Sequence, residues 1–429
     1  VITKPVVEWT LAYPNGSTEN GVSSVATLIS SSVEYPAGTF TRLTYNGSVS
    51  ATIDGTSILS SDANTLLASI PDGATFWVWV NLHYTSTNKA YYDDGLNFYY
   101  TTASGEVTKA STSALTDYTM VGGMVSGGVG SPGWSFRPVA IRDISTKLSA
   151  FLMGDSRQRK TQGVYGHVDP KGRTGEAQRA VGARMACING AVSGDSYFNV
   201  TQAGAYTIRK ALADRCDIII DEYGINDLGT GVNLSVASFS NDINTMRALL
   251  GPTKPYFRQT ITPRATSTNR FTDTAGQTPT SNASYRSALN DAIRNGTLTL
   301  NNAMAGYFET ADAVETARNS GIIKPLSGRV LTDITVSANS TTVTSTNNDF
   351  TSADVGRSLF ASSNNFGAEI VAYVSPTQVT ISQSQTTAIN PGDSVYVGLS
   401  TQDGLHYWPE AEILMAADPS WNQLGNPQY

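Results

Sequence analysis

The sequence predicts an α/β protein: a parallel sheet covered by helices, preceded by an N-terminal β-sandwich and interrupted late by a small inserted β domain. Three observations predict it. Residues 1–147 run as short alternating stretches broken by turn signals, with no helical period. From Leu148 onward, β-like runs alternate with helical ones, the pattern of a parallel sheet with helices on its faces. From about 328 to 399 the chain returns to Thr-, Ser- and Val-rich β character, and a helical stretch from Glu410 to Ala417 then resumes the α/β pattern. The expected domains are therefore 1–147, 148–327 with 400–429, and 328–399 inserted between those two parts.

In the first region the turns are Pro14-Asn15-Gly16, Asn46-Gly47 and Asp93-Asp94-Gly95. One run there, Phe76 to His83, alternates so that Phe76, Val78, Val80 and Leu82 share a face while Trp77, Trp79 and His83 share the other. That second face suits either packing against a neighbouring domain or stacking on sugar rings. In the α/β region the runs are Ala150 to Met153, Gly175 to Ala186, Asp217 to Ile220, Ser235 to Leu250, Tyr256 to Ile261 and Tyr285 to Arg294. In the insert, Asn347-Asn348-Asp349 and Asn390-Pro391-Gly392-Asp393 supply turns. A chain of 429 residues exceeds what one core organises, which agrees with two or three domains.

Charge and composition narrow the function. A net charge of −7, with no long run of Lys or Arg, gives no attraction to phosphate backbones, so nucleic acid is not an expected partner. No stretch approaches the roughly 20 apolar residues that cross a bilayer, and Val1-Ile2-Thr3-Lys4 is not an apolar signal segment. The charged fraction of 15% is low beside abundant Ser, Thr, Asn and Gly, which suits an extracellular β-rich protein, any export signal having gone. Cys187 and Cys216 exclude a disulfide framework and a Cys-based zinc cluster; two buried reduced thiols are expected, with one bridge left open.

Chemistry is best sought through histidine, because the chain holds only His83, His167 and His406. In Asp403-Gly404-Leu405-His406 a carboxylate three residues before the imidazole can reach Nδ1, leaving Nε2 to accept a proton. In Phe151-Leu152-Met153-Gly154-Asp155-Ser156-Arg157 an apolar strand ends in a small residue, an acid and a hydroxyl, where ligands bind in open α/β sheets. Gly190 to Ser196 and Asp221 to Asp227 follow the next two strands, offering glycine turns whose N–H groups can approach a ligand and an uncharged donor in Asn226. Taken singly, each also suits a structural role: a surface or capping pair, a helix N-cap, a loop device.

Together and in this order, these segments resemble the SGNH/GDSL hydrolase family. Its first block corresponds to Gly154-Asp155-Ser156, its second to the glycine in Val192-Ser193-Gly194-Asp195, its third to Gly224-Ile225-Asn226-Asp227 and its last to Asp403-Gly404-Leu405-His406. The resemblance covers about 148–325 and 400–429 and implies a flavodoxin-like parallel sheet. It implies Ser156 as nucleophile, His406 as base and Asp403 as its orienting carboxylate, with an oxyanion hole from the N–H groups of Ser156 and Gly194 and the Asn226 amide. Asp155, Asp195 and Asp227 are read as acceptors that fix the loops. His167 either contacts substrate or is structural. No cofactor or metal is implied. Two departures stand out: Arg157 occupies a position where an aliphatic residue is common, and some seventy β-type residues precede the last block.

The implied activity is ester hydrolysis by a carboxylic ester hydrolase. The segments 350–358 and 372–381 resemble small β-modules of bacteriophage tail and tail-fibre proteins. With the N-terminal β region they suggest a carbohydrate O-acetylesterase acting on an acetylated surface or extracellular polysaccharide. A broad-scope short-chain carboxylesterase acting on small esters and a non-catalytic glycan-binding tail or adhesion protein are the alternatives.

Overall fold

The structure, a computed structural model, describes residues 1–10, 27–53, 57–83, 116–122, 138–144, 147–159, 175–201, 206–231, 234–326, 328–361, 366–382, 384, 387–401 and 403–425. The turns expected at 14–16 and 93–95, and His167, lie outside the described residues. These residues fall into two compact units: one holds those up to Leu148 together with 206–215, the other those from Ser149 to Thr201 and from Cys216 onward. Among the described residues no helix is long and apolar enough to cross a membrane.

The first unit contains β1 (Val6–Trp9), β2 (Thr27–Glu34), β3 (Phe40–Arg42), β4 (Ala51–Ile53), β5 (Leu59–Ser60), β6 (Trp77–His83) and β7 (Ala140–Arg142). They form two antiparallel sheets, one in the order β5-β1-β7 and one in which β2 pairs with β3, β4 and β6. Val7 and Trp9 of the first sheet meet Ile29, Val33 and Ile53 of the second in a single apolar cluster. Strand alternation turns Phe76, Val78, Val80 and Leu82 toward that cluster. The opposite face of β6 carries Trp77, Trp79, Asn81 and His83. Within the unit, Trp79 Nε1 donates to the Glu34 carboxylate at 2.6 Å, and Ser32 Oγ and the Arg42 guanidinium both donate to Thr119. A cavity of about 330 Å³ remains beside them, lined by Ser30, Arg42, Asn81, His83 and Asp117 among others.

The second unit opens with β8 (Ser149–Met153), α1 (Ser156–Arg159), α2 (Gly175–Gly182), β9 (Ala186–Asn189) and α3 (Tyr197–Val200). After α4 (Thr207–Ala213) it continues with β10 (Ile218–Asp221), α5 (Ile225–Gly229), α6 (Val236–Leu250) and β11 (Tyr256–Gln259). A hairpin of β12 (Ala265–Ser267) and β13 (Gln277–Pro279) leads to α7 (Ala283–Arg294), β14 (Gly306–Phe308) and α8 (Ala311–Val314). The sheet order is β9-β8-β10-β11-β14 and every pairing is parallel. Counted along the chain this is 2-1-3-4-5, the flavodoxin-like winding, with its switch point between the first and third strands. Ala150, Leu152, Ile218, Ile220 and Phe308 pack on Ala177, Ala180 and Val181 of α2 and on Trp421, whose ring stacks on Phe308 at 3.9 Å. The alternate residues Phe151, Met153 and Ile219 are equally buried, so both faces are covered.

The chain then forms β15 (Arg329–Leu331), β16 (Ile334–Thr335), β17 (Thr342–Ser345), β18 (Ser358–Ala361), β19 (Phe366–Ser375), β20 (Gln378–Ile381) and β21 (Val395–Val397), before α9 (Pro409–Ala416). The seven strands make one antiparallel sheet in the order β15-β21-β18-β19-β20-β17-β16. Strand β19 pairs with β18 through its first half and with β20 through its second, so the sheet curls around Ile334, Val343, Leu359, Ile370, Val379 and Val395.

Three features differ from the expected layout. Segment 206–215 groups with the first unit, where Arg215 pairs with buried Glu8. The 328–399 segment has its own sheet and core but does not separate from the α/β part. Ser358 donates to the Glu410 carboxylate at the start of α9, and Phe360 meets Trp408 edge-on at 5.7 Å, which joins it to that helix. The helical run expected from Gly175 to Ala186 stops at Gly182, because Ala186 already begins β9. Neither cysteine is in a disulfide; Cys216 is buried and Cys187 half-buried, and burial pushes the Cys216 thiol up to about 11.

Candidate active site

Parallel strands present their carboxyl ends at one edge, and β9 and β10 flank β8 on either side. Ser156 follows β8, Gly194 follows β9 and Asn226 follows β10, so topology alone brings the first three motif segments to one place. Ser156 begins α1 and is 7% exposed. The Asp155 carboxylate accepts the Arg157 N–H at 3.0 Å, and Arg159 N–H closes on Asp155 O at 2.9 Å, which starts the helical turn at the serine. A side chain at position 154 would run into the Glu222 carboxylate and the Gln158 stem, so the residue before this turn must be glycine.

The imidazole that meets Ser156 comes from a segment 250 residues further along the chain. His406 Nε2 lies 2.8 Å from Ser156 Oγ, and His406 Nδ1 lies 2.6 Å from Asp403 Oδ2. The other Asp403 oxygen accepts the N–H groups of Leu405 and His406 at 2.9 and 2.8 Å, and Thr401 Oγ1 donates to the His406 carbonyl at 2.7 Å. Burial opposes ionisation of Asp403, but the His406 side chain and these backbone N–H groups outweigh it and bring the carboxyl down to about 2. Gly404 lets the loop close: its φ is +74°, and a Cβ there would strike the Ala265 carbonyl and the Phe271 ring. The Ala265 N–H in turn donates to Gly404 O at 3.2 Å.

Gly194 has a φ of +73° and open space where a side chain would stand, so conformation rather than crowding selects glycine. The Asn226 amide donates one hydrogen to Asp195 O at 2.8 Å, which orients the group and leaves its second hydrogen. The three aspartates of the motif segments hold loops. Asp155 accepts from Arg157, Asp195 accepts the Tyr223 hydroxyl at 2.7 Å, and Asp227 accepts the Tyr197 N–H at 3.2 Å. Below them the buried Asp221 carboxylate accepts the hydroxyls of Tyr197 and Tyr256 and faces Arg258.

The structure thus brings Ser156, Asp403 and His406 into one hydrogen-bonded relay, while His83 belongs to the first unit. Sequence reasoning missed Glu222, Thr262, Ala265, Phe271 and Thr401, which hold the site's segments. A signal existed for Glu222, a second acid directly after Asp221 at the end of an apolar strand. Among the described residues no group of three or more His, Cys, Asp or Glu side chains is arranged to hold a metal ion.

No protein-family model matches the chain, and no curated protein matches its sequence. Among solved structures it is similar in part to a GDSL-like lipase from Bacteroides thetaiotaomicron, at 10% identity over 41% of this chain and 75% of that one, with a TM-score of 0.27. It is also similar to AlinE4, an SGNH-hydrolase family esterase, at 22% identity over 28% of this chain, with a TM-score of 0.22; the match spans 62% of AlinE4.

Proposed function

We propose that the chain is a serine esterase of the SGNH/GDSL type that removes acetyl groups from a surface or extracellular polysaccharide. The observation that carries the reading is the relay from Asp403 through His406 to Ser156, with contacts of 2.6 and 2.8 Å at the carboxyl edge of a parallel sheet. In this reading Ser156 Oγ attacks the ester carbonyl as His406 Nε2 takes its proton, and Asp403 stabilises the imidazolium. The tetrahedral oxyanion receives the N–H groups of Ser156 and Gly194 and the second hydrogen of the Asn226 amide. His406 returns the proton to the leaving alcohol. Water, deprotonated by the same imidazole, then attacks the acyl-enzyme, releases the acid and restores Ser156.

The polymeric substrate and an extracellular or virion-associated setting are argued from three features. These are the low charged fraction, the resemblance of 350–358 and 372–381 to phage-tail β-modules, and the cavity of the first unit, where Ser30, Arg42, Asn81 and His83 stand beside apolar Leu28 and Val49 and offer partners to sugar hydroxyls. The test measures acetate release from a panel of acetylated polysaccharides beside hydrolysis of nitrophenyl acetate, with Ser156→Ala as control. Deacetylation of one polymer well above the small ester is expected, and Ser156→Ala should lower both by up to about six orders of magnitude. Turnover of small esters alone favours the broad-scope carboxylesterase. Turnover that survives Ser156→Ala removes the mechanism, and polymer binding without turnover favours the adhesion protein.

A further inference from the structure

We propose that Arg157, the residue after the nucleophile, is a positioning residue that ties the turn of Ser156 to the segments carrying Asn226 and His406. The proposal rests on the ester-hydrolase reading of the same site. Its basis is the set of partners the side chain reaches. The guanidinium pairs with the Glu222 carboxylate, approaches the Glu222 carbonyl at 3.5 Å, donates to Thr262 Oγ1 and stands 3.6 Å from Asp155. The Glu222 carboxylate also accepts the Asp155 N–H at 3.1 Å, so the nucleophile's turn and the end of β10 are joined twice.

Each partner leads to a different catalytic group. Glu222 precedes Asn226 by four residues through Gly224, where a Cβ would strike Ile261 and so holds the turn close. Thr262 precedes Pro263, whose carbonyl accepts the Tyr407 hydroxyl at 2.8 Å beside His406. Two residues further, Ala265 brackets Gly404 within the Asp403 to His406 loop. One planar fork therefore touches the supports of nucleophile, oxyanion donor and base at once. An aliphatic side chain would fill the space without bridging them, and a lysine would reach one partner as a point charge.

The arrangement is a poor choice for stability alone, since the Arg157 and Glu222 side chains are 3% and 2% exposed and a buried ion pair seldom repays its desolvation. Burial by itself would favour loss of the Arg157 proton, but Glu222 and Asp155 hold the guanidinium charged. What the pair supplies is register. Displacing a reacting group by about 1 Å costs on the order of a hundredfold in rate.

The test compares Arg157→Met, Arg157→Lys and the double variant Arg157→Met/Glu222→Gln in the full chain. It reads kcat and KM on nitrophenyl acetate, melting temperature, and the rate at which a fluorophosphonate labels Ser156. Glu222→Gln removes the carboxyl left without its cation and keeps an oxygen for the Asp155 N–H. The double variant should regain the melting temperature lost by Arg157→Met, yet keep a kcat and a labelling rate about a hundredfold low with KM little changed. Arg157→Lys should fall between. If Arg157→Met does not fold, the other two variants carry the comparison. Wild-type kcat in the double variant, or losses that follow melting temperature in every variant, would overturn the proposal while leaving the esterase standing. A wild-type chain inert to both ester and fluorophosphonate would overturn both.

Discussion

The two larger sheets of the second unit treat buried charge differently. In the antiparallel sheet, Asp354 is hidden but its partner Arg329 is 31% exposed, and the pair closes at 2.8 Å at the rim. Burial there opposes ionisation, and Arg329 with the Thr351 N–H outweighs it and holds the carboxyl below its ordinary value. At the carboxyl edge of the parallel sheet both Arg157 and Glu222 are hidden, and Asp155 and Glu176 lie within electrostatic reach. Here burial pushes all three carboxyls above the ordinary range against the pull of Arg157, with repulsion from neighbouring carboxyls adding to it. A half-hydrated pair costs little, whereas a desolvated one lowers stability and fixes geometry. The first region is built to fold, and the second gives up stability to keep groups in place.

If that contrast is right, changes at the parallel edge act on turnover. Asn226→Ala should show the largest such effect, lowering kcat about a hundred- to a thousandfold with little change in KM, because in the proposed mechanism the amide meets charge that exists only in the transition state. Steady-state kinetics on nitrophenyl acetate decide it. A change confined to KM would move Asn226 to ground-state binding.

Gly404→Ala should come next. The new methyl meets the Ala265 carbonyl in a backbone conformation that L-residues avoid, so the loop must shift and carry His406 with it. A loss of about a hundredfold in kcat with near-normal secondary structure is expected. Retained turnover would mean the relay tolerates displacement, which would weaken the contrast.

The antiparallel sheet should answer in the opposite sense. Ile370 is fully buried in its apolar cluster, and truncation to Ala removes contacts worth about 2–5 kcal/mol. Ile370→Ala should lower the denaturation midpoint and leave kcat of the folded protein unchanged on a small ester. A kcat loss as large as that of Gly404→Ala would make this sheet part of the catalytic apparatus, acting through Phe360, Trp408 and Ser358–Glu410.

What could be read from the sequence follows the same division. The segments around Ser156, Gly194, Asn226 and His406 were legible because each is short, local and set at a strand end or before a helix. The parallel sheet of the α/β part was legible from its alternation and its winding from the family resemblance, although the helical run expected to reach Ala186 overran into the first residue of β9. The supports of the site were not legible. Arg157 and Glu222 are 65 residues apart and meet only after the sheet forms, and an acid at a strand end reads as a turn residue. The loop of the β12–β13 hairpin was hidden for another reason. Arg270 and Phe271 take φ values of 56° and 61°, positions where Asn and Gly are the usual signal. Their side chains explain the exception: Phe271 lies against Gly404, and Arg270 stacks over Phe360 and Tyr396 of the antiparallel sheet. Helix α4 carried no mark of the unit it joins, because an amphipathic pattern states that a face is buried and not against what.

The smallest predicted effect concerns Glu176, and it tests whether the charge at the parallel edge is truly costly. Burial pushes this carboxyl up to about 7, against the pull of Arg157 and with help from Glu412 and Asp155. A folded-state pKa above the unfolded value means that the fold binds the proton more tightly. Its contribution to stability is therefore complete below about pH 4.5, the ordinary glutamate range, and is lost as pH rises through about 7. Above that, the folded protein carries an added carboxylate in a place that disfavours it. Glu176→Gln removes the titration and keeps the shape, so the variant should melt close to the wild type at pH 5 and above it at pH 8. Calorimetry across that range measures the difference, and its growth with pH separates it from a uniform packing effect. A variant that melts below the wild type at pH 8 would show that Glu176 is ionised and favourably paired with Arg157, and the parallel edge would then resemble the Arg329–Asp354 pair it is contrasted with.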